Sequence, residues 1–206
     1  MNYITIGYDC SPAAALRNMN MRNFALPFDW VQSNVRAIEE CFRDDFAKYH
    51  ADLRLNVRKT RLIDAYGFQF PHDYPHLYDN GLKGPASGDI TTEIETIGEG
   101  AYEEKEIGAN WTEFYDTVKC KYDRRIERFR SLVQDPAPIV VLCRYPKQDV
   151  FLLKELFAKY YNKTNVRFIN SSNEVFENEF MVNIHTEQNG EWNETAIWKS
   201  AINLSG

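Results

Sequence analysis

Cys10 stands where "ITIGYDC" gives way to "SPAAALRN", a run of alternating apolar residues followed by a short polar turn and a helix-forming stretch. A thiol at that junction lies near backbone N–H groups and the positive end of a helix dipole. Such a setting lowers a thiol pKa and lets amides near Ser11 hold an oxyanion. The chemistry this suits is nucleophilic attack on a carbonyl. The structural alternative is a small buried side chain that fills a gap, a role free cysteine often has.

A thiol nucleophile needs a base within hydrogen-bond reach, and the chain offers His50, His72, His76 and His185. His72 lies in "FPHDYPH", directly after an apolar run and at the start of a loop, with Asp73 beside it. His50 closes an apparent surface helix and His76 lies deeper in the loop. His185 ends the strand-like "MVNIH" and is a reserve base, since sites of open α/β sheets form at strand ends. Asp73 can orient His72 only if the chain turns there, because neighbours on an extended strand face opposite ways. Asp9 and Asp29 are further acids, Asp29 standing between Phe28 and Trp30 in a bend where it can equally cap local backbone N–H groups.

Several elements must position these groups. Tyr3 to Gly7 reads as a strand, and Pro12 in the first turn opens the helix that follows. In "VRAIEECFRDDFAKYH" the residues Val35, Ile38, Phe42 and Phe46 recur at helical spacing, with Cys41 beside the stripe as a structural thiol. Trp111, Tyr115, Val118, Tyr122, Ile126, Phe129 and Val133 mark one face of a long helix. Its other face carries Arg124, Arg125 and Arg128, read as a solvated or salt-bridged surface with an anion site as the alternative. Beyond "DPAP", the run "IVVLCRY", the helical "QDVFLLKELFAKYY", then "NVRFIN" and "FMVNIH" alternate strand with helix. That order predicts an α/β domain with a mostly parallel sheet covered by helices, in which Ile139 to Leu142 and Val166 to Ile169 are neighbouring strands. The region of about 71–110 reads as a long loop or lid.

The 206 residues are 44% hydrophobic, enough for one substantial core, so one domain over 1–206 is expected. A formal charge of −6 argues against nucleic acid as a partner, because phosphate binding relies on Lys and Arg. No run of about 20 apolar residues and no basic, apolar leader is present, so a soluble, cytoplasmic chain with no membrane partner is expected. The four cysteines are widely spaced without C-x-x-C, and neither a P-loop nor G-x-G-x-x-G occurs. No metal and no cofactor are expected.

The combination "GYDCSPAAALRNMNMRNFALPFDW", "HDY", "KYDRRIERF" and "IVVLCRY" resembles a family described as putative papain-like cysteine peptidases. The resemblance implies Cys10 as nucleophile and His72 as base, with Asp73 or Asp29 assisting. It also implies a papain-like α+β fold, in which a nucleophile helix precedes an antiparallel barrel-like sheet. The local pattern of the second half points instead to the helix-covered parallel sheet. Three functions follow as expectations. The first is a thiol-dependent hydrolase or acyl transferase acting on a small molecule, peptide or glycan. The second is a transferase for a glycan- or nucleotide-linked substrate, with phosphate held by the arginines of the long helix or by Arg144. The third is a non-catalytic binding module whose recognition surface is the aromatic loop Phe68 to Tyr78.

Overall fold

A computed structural model describes residues 2–78, 81–83, 105–186 and 195–204. Its centre is a sheet in the order β1 (Asn2–Thr5), β7 (Ile139–Cys143), β8 (Val166–Ser172), β10 (Met181–His185), β9 (Glu177–Asn178). The first four strands are mutually parallel, and β9 pairs antiparallel with β10 at the edge. Ile139 is opposite Val166 and Leu142 opposite Ile169, so the two apolar runs are neighbours as the sequence predicts.

β7 shows why the apolar run is continuous rather than alternating. Ile139, Val141 and Cys143 enter one core cluster, whereas Val140 and Leu142 enter another on the opposite face. Both faces are covered, so every position is buried. One cover consists of α1 (Ser11–Asn18) and α5 (Thr195–Leu204), which meet the sheet through Ala15, Leu16, Trp198 and Ala201. The other consists of α2 (Val35–Arg43), α3 (Tyr115–Gln134) and α4 (Lys147–Tyr161), with Phe42, Phe129 and Phe157 at its centre. Phe28 joins this second core, its ring 5.6 Å from that of Phe129 and 5.8 Å from that of Phe68. The architecture is therefore α/β, not the papain-like α+β arrangement that the resemblance implied. The order of strand, helix, strand across β7, α4 and β8 is the reason, since a crossover helix returns the chain to lie parallel.

Between α2 and α3 the chain forms a three-stranded antiparallel sheet of β2 (Arg54–Leu55), β3 (Leu62–Ile63) and β4 (Gln69–Phe70), and a hairpin of β5 (His76–Tyr78) and β6 (Gly81–Lys83). The expected helix from Val35 to His50 is shorter than its apolar stripe: α2 ends at Arg43, and Asp45, Phe46 and His50 adopt positive φ. Much of the expected loop or lid at about 71–110 lies outside the described residues. Inside them, His76 bridges to Ile107, so this part is tied to the core rather than free of it. Among the described residues no helix is long and apolar enough to cross a membrane.

Candidate active site

The turn carrying Cys10 begins at the carboxyl end of β1. Gly7 is required there because a Cβ on it would sit 2.8 Å from the Asp9 carbonyl oxygen and 2.9 Å from Pro12 Cγ. The Ser33 hydroxyl donates to the Gly7 carbonyl at 2.8 Å and lies 2.7 Å from the Tyr145 hydroxyl, fastening the turn to the residue pair that follows β7. Asp9 supplies the second fastening. Its Oδ1 accepts from the Ser11 backbone N–H at 2.9 Å and its Oδ2 from Arg144 Nη1 at 2.6 Å. Cys10 then occupies the N-cap of α1, partly exposed, and its carbonyl accepts from Ala14 N–H.

The Ser11 N–H is committed to Asp9 and Pro12 has none to offer, so neither of these two positions supplies an oxyanion donor in this conformation.

His72 reaches Cys10 from the far side. Its Nε2 lies 3.1 Å from Cys10 Sγ, bridging 62 positions of sequence. The small antiparallel sheet accounts for that meeting. Gln32 and Gln69 exchange backbone hydrogen bonds at 3.0 Å in both directions, which ties "PFDWVQ" alongside β4 and delivers the bend 71–74 to the end of β1. Trp30, at a φ of 64°, presents its indole edgewise to the His72 ring at 6.1 Å. A left-handed backbone at a bulky aromatic residue is strained, and such strain persists only where surrounding contacts hold it. Arg17 lies 4.9 Å over the same indole, on the face of the last turn of α1.

The acids are held elsewhere. Both Asp73 oxygens meet α3: Oδ1 accepts from Lys121 Nζ at 2.6 Å and Oδ2 from the Tyr122 hydroxyl at 2.8 Å. Burial pushes the Asp73 carboxyl up, but the charges of Lys121 and Arg125 and these two hydrogen bonds outweigh it and hold the group at about 2. Asp29 accepts from Leu26 N–H at 3.0 Å and from the Thr5 hydroxyl, with Arg22 at 3.7 Å. Burial raises its carboxyl above the ordinary range despite Arg22 and those hydrogen bonds. Asp29 thus ties the bend to β1.

The long helix keeps its predicted apolar stripe through Val118, Tyr122, Ile126, Phe129 and Val133, but one residue of the face read as solvated or salt-bridged, Arg125, turns inward. Arg125 is fully buried, its guanidinium 5.1 Å over the Tyr122 ring, and it exerts its charge on both Asp29 and Asp73. Arg128 donates to the Ala25 carbonyl at 3.3 Å. The buried carboxylates of two distant segments draw the helix's cationic side inward, which no periodicity of apolar residues reveals.

The other histidines sit apart. His50 is buried, its Nε2 2.7 Å from the Tyr74 hydroxyl, and burial lowers it to about 4. His76 is buried in β5. His185, the reserve base, is exposed at the end of β10, three strands from β1. Phe68, Phe70 and Tyr74 are fully buried, so the aromatic stretch considered as a recognition surface is mostly core. Cys41 and Cys143 are also buried, and burial pushes both thiols up, whereas Cys120 is exposed.

The fold and these contacts define an α/β protein that carries a thiol and an imidazole in contact at the carboxyl end of a parallel strand. The chain belongs to the family described as "Putative papain-like cysteine peptidase (DUF1796)", whose model matches residues 1–187. No curated protein and no solved structure gives a significant match.

Proposed function

We propose that the protein is a thiol-dependent hydrolase or acyl transferase in which Cys10 is the nucleophile and His72 the base. The observation that carries this reading is the Sγ to Nε2 separation of 3.1 Å, made by a partly exposed thiol at a helix N-cap. His72 Nε2 takes the thiol proton, and the thiolate forms a bond to the substrate's carbonyl carbon. The tetrahedral intermediate collapses as the imidazolium gives that proton to the departing amine or alcohol, leaving a thioester on Cys10. Water, or another nucleophile in a transfer reaction, loses a proton to His72 and attacks the thioester. The C–S bond breaks and the thiol is restored. Trp30 packs against the imidazole, and Asp73, held by Lys121 and Tyr122, positions the bend that presents it.

The test is the pH profile of iodoacetamide capture, read residue by residue by mass spectrometry. Cys10 is expected to alkylate at pH 6, well below the unperturbed thiol pKa of about 8.5. Exposed Cys120 serves as the internal control. His72→Ala is expected to slow Cys10 capture at pH 6 at least tenfold, and Cys10→Ser to abolish capture by an acyl-bearing electrophile while the fold remains. Capture of Cys10 no faster than of Cys120 across pH 5–9 would falsify the reading.

A further inference from the structure

A cleft of about 330 Å³ opens at the carboxyl ends of β7, β8 and β10, beside the Cys10 turn. Crevices at this edge of an open α/β sheet are where ligands bind, and the volume is at the small end of the roughly 300–1,000 Å³ typical of small-molecule sites. Two contacts join it to the thiol. Tyr8, on its wall, precedes Cys10 by two residues, at most about 7 Å along the chain. Arg144, also on its wall, holds Asp9, the residue next to Cys10, at 2.6 Å.

The lining determines what the cleft can take. Hydroxyls come from Tyr8, Ser171, Ser172 and Thr186. Ser171 and Thr186 lie 3.0 Å from each other and Ser172 donates to Asn183 at 3.0 Å, which leaves oxygen lone pairs to accept from a ligand. Asn173 adds an amide and Glu174 a carboxylate whose Oε2 also accepts from the Lys147 N–H at 2.8 Å. Pro146 supplies the one wholly hydrocarbon side chain among the described lining residues, yet most of the exposed wall is carbon, so the cleft suits a ligand with both a C–H face and polar groups. Arg144 already faces the Asp9 carboxylate, and Glu174 brings a second, so a phosphate or carboxylate would meet more negative than positive charge. Tyr8 is 61% exposed and offers an aromatic face at the mouth. A pyranose ring matches this set: its C–H face can lie on an aromatic ring while its hydroxyls donate to and accept from hydroxyl, amide and charged groups.

We infer that this cleft is a subsite for a monosaccharide-sized polyhydroxylated group, which places a sugar-bearing substrate beside Cys10. The part played by Cys10 rests on the function proposed above; binding in the cleft does not. The experiment is saturation-transfer-difference NMR on Cys10→Ser with a panel of methyl hexopyranosides, N-acetylhexosaminides and pentopyranosides, beside a matched panel of blocked dipeptides. Transfer to at least one sugar is expected, weakened at least tenfold in affinity by Tyr8→Ala and by Glu174→Gln. Tyr8 is exposed and its removal leaves the core intact, so an unchanged unfolding midpoint will accompany the loss. No transfer to any sugar, transfer to dipeptides alone, or sugar binding indifferent to both substitutions overturns the subsite. Wild-type iodoacetamide capture separates the two ideas: fast Cys10 capture with no sugar binding removes the cleft alone, and sugar binding with slow Cys10 capture removes the thiol chemistry alone.

Discussion

Lys121 bears on the placement of His72 through the neighbouring Asp73, although it touches neither the thiol nor the imidazole in the contacts described above. Its ammonium group and the Tyr122 hydroxyl hold the buried Asp73 carboxylate. Asp73 lies at about 2 in the fold against an ordinary value of 3.8, so it binds fewer protons folded than unfolded. Its contribution to stability is therefore complete above pH 3.8 and fades as the pH falls toward 2. Removing Lys121 leaves the buried carboxylate with only the charge of Arg125 and the Tyr122 hydroxyl, and breaking a buried pair costs about 3–5 kcal/mol. Lys121 keeps some exposure, so Lys121→Met is expected near the lower end, about 3 kcal/mol in urea denaturation at pH 7. It is also expected to slow Cys10 capture through displacement of the 71–74 bend. Lys121→Arg restores both if charge at this point is what matters, and failure of rescue with normal stability would remove Asp73 from its positioning role.

At the scale of elements, the junction of β1 and α1 is the most constrained piece of the molecule. Ser33 and Tyr145 hold the Gly7 end, Asp9 and Arg144 hold the Cys10 end, and Gly7 itself leaves no room for a side chain. The atoms in the way of a Cβ include the Asp9 backbone oxygen, which cannot yield without moving the turn. Gly7→Ala is expected to cost about 1–3 kcal/mol, the range for forcing extra atoms into a filled space. Because the displaced segment leads into Cys10, it is also expected to lower the rate of Cys10 capture by more than tenfold. Thermal unfolding and iodoacetamide kinetics on one preparation check both. Wild-type capture with an unshifted midpoint would show that the turn accommodates a methyl group freely.

Across the whole molecule, two layers of helices on a parallel sheet leave its strand ends as the natural place for chemistry, while the second core buries titratable groups that take no part in it. His50 is the clearest of these. Burial lowers it from 6.5 to about 4, so between those pH values the unfolded chain binds a proton that the fold does not. Stability therefore rises with pH from 4 to 6.5, by about 3 kcal/mol for this group at 1.36 kcal/mol per pH unit. Asp64, which burial raises to about 7, acts with the opposite sign over the same range, so the readout is a difference. From pH 4.5 to 6.5 in urea titrations, the stability of the wild type is expected to change by about 2–3 kcal/mol more in the upward direction than that of His50→Gln. A profile equally steep in the variant would assign the dependence to other groups.

The local pattern of the chain determined the first strand with its turn and helix, the buried stripe of α3, and the parallel pairing of β7 with β8 through α4. Each is written in residues a few positions apart, where apolar spacing and turn chemistry act directly. Composition and spacing reduced the possible bases to four histidines, and family resemblance joined Cys10 to His72. What only the tertiary structure decided is how that pair is held. Gln32 meets Gln69, Lys121 meets Asp73 across 48 positions, and Arg144 meets Asp9 across 135. A single polar residue has no periodicity by which to announce its partner. Its role emerges when packing removes water from around it, because a buried charge or donor must then find its counterpart among whatever residues the fold has brought within reach.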